Sequence, residues 1–195
     1  PKPRFKVTKR NEAGGYDIVD AAAEEVTGTI VDVEPKSNDY QGSVIESTDL
    51  VLRDGNEVYN VGLGQTSVGR NIINSLLALK TYEKVRIQLY QSKAKPGQTK
   101  TYASASVRQN GLLIKGLFER TALPPVPKVV VAGKEMSDTT ALDAFLKAEV
   151  LKLKERIKAA NEANATASSS PAPVAASTTD TLPEGGSAND EDVPF

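Results

Sequence analysis

The chain has no cysteine, no histidine and no tryptophan in 195 residues. Without cysteine there are no disulfides, no thiolate nucleophiles and no Cys-based zinc sites. Without histidine there are no Ser-His triads, no H-E-x-x-H metal sites and no imidazole acid–base chemistry. Most familiar hydrolase chemistry is thereby excluded, and neither enzymatic activity nor a cofactor is expected. Long apolar runs are missing too. Nothing approaches the ~20 residues that span a bilayer. The basic N-terminus PKPRFKVTKR lacks the apolar stretch of a signal peptide. A cytoplasmic protein with no membrane partner is expected, and a cysteine-free composition is compatible with a reducing cytosol.

Apolar residues are scarce as well, at 39% of the chain, below the roughly 45–50% usual in globular domains. Part of the chain is therefore expected to stay unpacked. Basic charge is absent from the end. Residues 161–195 hold no Lys or Arg but six acids: Glu162, Asp180, Glu184, Asp190, Glu191 and Asp192. All 24 basic residues and the remaining 19 acids lie in residues 1–160. A mildly basic body carrying an acidic tail is the first functional clue.

What is present reads mainly as strands. Residues 25–34 (EVTGTIVDVE) are rich in β-branched side chains, and Gly28 among them predicts a bulge or sharp bend. Residues 44–53 and 56–63 flank Asp54-Gly55, a strong hairpin signal. Residues 66–80 space Val68, Ile72, Ile73, Leu76, Leu77 and Leu79 as a helix, with Thr66 or Ser67 to cap it. Two alternating strands follow, 84–90 and 102–108, then an Asn110-Gly111 turn and a short strand in LLIKGLF. The run PPVP at 124–127 breaks the chain. A last helix over 137–160 carries Leu142, Leu146, Val150, Leu153 and Ile157 on one stripe, with Phe145 beside it. Its heptad-like spacing is too short for a coiled coil, so it is expected to pack on its own domain.

The order β-β-β-α-β-β predicts an OB-fold, a mainly β, five-stranded, partly open barrel with a helix between strands 3 and 4. The expected organisation is an N-terminal arm (1–22), the OB-fold (23–120), a Pro-containing linker (121–136), a C-terminal helix (137–160), a disordered linker (161–189) and an acidic tip (190–195). The 161–189 stretch is rich in Ala, Ser, Thr, Pro and Gly. Such a stretch cannot bury enough surface to offset its ordering entropy.

Candidate chemistry gathers around the last two barrel strands. Their connecting loop holds Lys93, Lys95 and Lys100. With Tyr90 opposite Tyr102, alternation puts Lys84, Arg86, Gln88 and Tyr90 on one face with Tyr102, Ser104, Ser106 and Arg108. Cations on that face can track a phosphate backbone and tyrosines can stack on bases. The alternative is a solvated sheet face with an ordinary basic loop. The loop predicted at 35–43 adds Lys36 and Tyr40 at the groove an OB-fold uses, and Arg53 ends a strand near it. Tyr59 is ambiguous: a two-residue turn at Asp54-Gly55 would place it on the core side with Leu50 and Leu52. Gly64 to Asn71 (GQTSVGRN) is a near-miss to a phosphate-binding loop. Arg70 and Asn71 stand where that loop needs Lys and a magnesium-binding hydroxyl. Glycines permitting a tight strand-to-helix turn are the simpler explanation.

The extreme C-terminus is the most specific signal. Asp190, Glu191 and Asp192 precede Val193, Pro194 and Phe195, where the chain stops. A partner with an apolar pocket, a cationic rim and a basic ridge would grip ring, carboxylate and acids together. This ending closely resembles the acidic tip of bacterial single-stranded DNA-binding proteins, typically Asp-Asp-Asp-Ile-Pro-Phe, and the linker and element order fit that family. The resemblance implies a non-enzymatic protein that coats single-stranded DNA. It also implies that Asp190–Phe195 recruit replication and repair proteins. The body departs from the family in lacking base-stacking Trp, in its extra helix and in its long arm. It looks like a divergent, phage-type member, and whether it forms the family's homo-oligomer stays open. The runner-up function is an interaction adaptor whose barrel binds protein.

Overall fold

The computed structural model describes residues 3–40, 43–91 and 101–168. Among these, β1 (Phe5–Arg10) and β2 (Tyr16–Ala23) open the chain. Then come β3 (Glu25–Tyr40), β4 (Ser43–Asp54), β5 (Glu57–Gly64) and α1 (Ser67–Leu77). β6 (Val85–Gln91), β7 (Ala103–Gln109) and β8 (Leu112–Ile114) follow. After a short 3-10 turn (Arg120–Ala122) the chain forms β9 (Lys128–Val131), β10 (Lys134–Ser137) and α2 (Thr140–Ser168). The fold is mainly β.

Eight strands form one antiparallel sheet in the order β2-β1-β5-β4-β3-β6-β7-β8. The sheet is not closed: β5 and β7 are not hydrogen-bonded to each other. It nevertheless curls. A cavity of ≈ 380 Å³ is lined by Phe5 and Leu63 from one flank, Leu89 and Ala103 from the other, and Ile72 of α1.

β3 makes the corner. Glu25–Gly28 pair with β6, and pairing with β4 begins at Thr29. At the switch a Cβ on Gly28 would lie 2.7 Å from the Arg53 carbonyl oxygen. That is the bend Gly28 predicts. Beyond it, one edge of β3 would expose unpaired backbone groups, an aggregation template. The Ile30 amide donates to the Tyr82 carbonyl, at 2.8 Å. Asn161 Nδ2 of α2 donates to the Val31 carbonyl, at 3.0 Å. Lys154 pairs with Glu34 and Asp32 at 3.3 and 3.8 Å. Thus α2 covers this edge while Leu142, Leu146, Val150, Leu153 and Ile157 join the core. The expected intramolecular packing of that stripe is what is found.

Arg70 ties the two helices together. Its guanidinium donates to both carboxylate oxygens of Asp143 at 2.7 and 2.9 Å and to Thr139 Oγ1 at 2.9 Å. Thr66 caps α1 by accepting from the Gly69 amide, at 3.1 Å. Gly69 sits so close to the Gly64 carbonyl that a Cβ would fall 2.0 Å from its oxygen. The GQTSVGRN segment is therefore a tight strand-to-helix turn, with its arginine consumed structurally.

Three expectations need correction. The five-stranded sheet is eight-stranded. Residues expected as an arm form the β1–β2 hairpin, whose Phe5 and Val7 are buried in the core. Part of the expected 121–136 linker folds as the β9–β10 hairpin, a separate two-stranded sheet with Val130 and Met136 exposed. In addition, the predicted 35–43 loop is mostly paired strand, because β3 and β4 stay in register out to Tyr40 and Ser43. Helix α2 begins at Thr140 and runs to Ser168, past the predicted end at 160. Among the described residues no helix is long and apolar enough to cross a membrane.

Candidate nucleic-acid interface

Alternation sorts the side chains along β6, while along β7 only Val107 is buried, Ala105 is half-buried and Ala103 is exposed. Val85, Ile87, Leu89 and Val107 are buried. Arg86, Tyr90 and Arg108 are exposed, and Gln88, Ser104 and Ser106 are half-buried. The observed pairs are Arg86 with Arg108, Gln88 with Ser106 and Tyr90 with Ser104. The register differs by two residues from the one expected, so every side chain keeps its predicted face. Tyr102, one residue ahead of β7, falls diagonal to Tyr90 rather than opposite it. Diagonal neighbours remain within reach of aromatic side chains. Tyr90 is 46% exposed and Tyr102 60% exposed.

Arg86 and Arg108 therefore stand directly opposite one another. Like charges so placed repel. Arg86 is partly compensated by Glu25 at 2.5 Å, and Arg108 Nη1 donates to the Gly111 carbonyl at 3.2 Å. Both arginines line a concavity of ≈ 480 Å³ with Thr27, Lys84, Gln88, Asn110 and Gly111. None of these lining residues is acidic. The concavity thus holds three cations and several hydrogen-bond donors. The Arg86–Glu25 pair is solvent-exposed and worth little, so exchanging the carboxylate for a phosphate costs little.

Arg53 lies beside this face. It pairs with Thr29, two residues along β3 from Thr27, which pairs with Arg86. Burial keeps alternating through Gly28, so Arg53 and Arg86 share the outward side. Arg53 is exposed and has no ion pair among the described residues.

Lys36 is a different case. It does not line the concavity. Its ammonium pairs with Asp49 at 2.6 Å and lies 5.0 Å from the centre of the Tyr16 ring. The hydrogen bond to Asp49 raises its pKa above the ordinary lysine value, with burial opposing and the Asp49 charge adding to the rise. Tyr40 closes β3, away from the Arg86–Arg108 pair. Lys93, Lys95 and Lys100 lie outside the described residues, as do Asp190, Glu191, Asp192, Val193, Pro194 and Phe195. Tyr59, ambiguous from the sequence, is half-buried against the core.

Sequence reasoning undervalued Lys84, Asn110 and Thr27. Lys84 and Asn110 both take left-handed backbone, with φ of 52° and 50°. For Asn110 the following glycine announces it. For Lys84 nothing does, since a lysine there is uncommon. Thr27 was legible only as a strand residue, because its neighbour Arg86 lies far away in the chain.

Compared with protein-family models, curated proteins and solved structures, the chain matches none of them.

Proposed function

We propose that this protein binds single-stranded DNA with little sequence preference and recruits partner proteins through Asp190–Phe195. The opposed Arg86–Arg108 pair carries the proposal. Two cations held face to face in a concavity whose lining has no carboxylate, with Glu25 pairing only one of them from outside it, favour an anionic ligand, and the exposed Tyr90 and Tyr102 on the same face offer stacking platforms. We read the five central strands, β5-β4-β3-β6-β7 with α1 between β5 and β6, as an OB barrel left open between β5 and β7. In that view the β3–β4 ribbon flanks the binding face. Binding releases counterions from the strand, so affinity falls with salt, by a logarithmic slope of about 0.7 per phosphate contacted. No group is asked to do covalent chemistry.

The test is fluorescence anisotropy of labelled oligo(dT) against a duplex of equal length, at two salt concentrations. Tight, salt-sensitive binding to the single strand and weaker binding to the duplex are expected. Replacing both Arg86 and Arg108 by glutamine should lower single-strand affinity by about tenfold or more, consistent with the loss of two charge contacts. A wild-type protein that ignores the single strand at low salt would leave the sheet as a protein-binding adaptor.

A further inference from the structure

We infer that the strand path does not end at the Arg86–Arg108 concavity but turns a corner at Lys84 onto helix α2. This rests on the proposed single-strand binding. A second concavity, of ≈ 520 Å³, shares Lys84 and Asn110 with the first and is further lined by Lys80, Glu83, Asn161 and Asn164. The two are thus continuous over one lysine and one asparagine, both on left-handed backbone. Backbone held in a sparsely populated region gathers at ligand-binding sites. Here it aims Lys84 between the two volumes.

The chemistry of the second concavity orders the ligand within it. Lys80 and Lys84 stand on one wall and supply the phosphate contacts. The opposite wall is the stretch of α2 from Ala160 to Asn164, which brings carboxamides and no cation to this lining. Phosphates therefore lie on the lysine side, and bases face Asn164. A carboxamide both donates and accepts, so it can bond the edge of any base. Glu83 is the one carboxylate in this lining and opposes the phosphates. The helix that shields the free edge of β3 would thus also lengthen the binding track.

The experiment uses the full chain and two labelled oligo(dT) probes, one of about 4 and one of about 12 nucleotides, the range that a single OB-type site spans. The double variant Lys80→Gln with Asn164→Ala touches only the second concavity, and both positions are exposed. It should weaken the longer probe by about fivefold, lower its salt slope by about 0.7, and leave the shorter probe unchanged. Glu83→Gln should tighten the longer probe, a gain that misfolding does not mimic. A wild type that binds neither probe overturns the single-strand proposal and this inference with it. A wild type that binds both, with the double variant and Glu83→Gln indistinguishable from it on the longer probe, overturns this inference alone.

Discussion

Gly28 shows how much one missing side chain does. It lets β3 leave β6 and join β4 within a residue, with the Arg53 backbone packed against it. An alanine there meets a carbonyl oxygen that belongs to a paired strand and has no room to withdraw. Gly28→Ala should therefore cost about 1–3 kcal/mol, the range for overpacking, read as a lower urea midpoint with an unchanged slope. Two other residues set the alkaline limit. The Lys36 pKa is raised from 10.5 by its hydrogen bond to Asp49, and burial raises that of Tyr82 from 10.0. In both cases the folded protein holds its proton more tightly than the unfolded chain. Their contributions are complete below the ordinary values and are lost as pH rises through the raised ones. Thermal stability should fall on titration above about pH 10. Tyr82→Phe should make that fall shallower, and an identical alkaline limb in the variant would show that Tyr82 does not contribute.

Elements are joined here by few polar clamps over a large apolar core. The Arg70–Asp143 bond is the main one between α1 and α2, with side chains only 18% and 12% exposed. Removing one partner strands the other charge. Arg70→Ala should destabilise by about 3 kcal/mol in chemical unfolding, while Arg70→Lys recovers only part of this because it lacks the fork that grips both oxygens. Retention of full stability in Arg70→Ala would return this arginine to the pool of ligand-binding candidates. The elements most legible in the sequence are those with one wet and one dry face. β6 buries every second residue through Leu89 and α1 buries one stripe, and the alternation or helical spacing follows directly. Strands β2, β9 and β10 were illegible for the converse reason, whereas β1 does alternate, burying Phe5 and Val7, but only over three residues. Tyr16, Ile18, Val19, Val130 and Met136 are all exposed, so β2 and β10 bury no face and leave no period to read. Register was legible only to its parity, since a two-residue slip preserves both faces. At the candidate site the residue types were legible but their partners were not. Arg86 with Glu25 is a pair that the fold makes between strands far apart in the chain, and Lys36 with Asp49 depends on the register of the β3–β4 ribbon.

At the scale of the whole molecule, charge is divided between body and tail. Residues 169–195 carry Asp180, Glu184, Asp190, Glu191 and Asp192 without a single base, leaving 24 bases against 20 acids in residues 1–168. The tail is joined to the body at Ser168, one turn beyond Asn164, which lines the second concavity. The acidic tip therefore begins its reach next to the cations proposed to hold DNA. Twenty-one residues separate Ser168 from Asp190, and a polar chain of that length has a reach of a few tens of ångströms, which would hold the acids at an effective concentration in the millimolar range. On the proposed function they would compete with phosphates for Lys84, Arg86 and Arg108, and DNA would in turn displace them and leave Val193, Pro194 and Phe195 available to partners. Deleting residues 169–195 should tighten oligo(dT) binding several-fold at low salt. The difference should vanish as ionic strength approaches 1 M, where the screening length is about 3 Å. A deletion variant with wild-type affinity at low salt would mean that the tail does not reach the cationic face. A difference that persists at high salt would mean that its apolar end, rather than its charge, makes the contact.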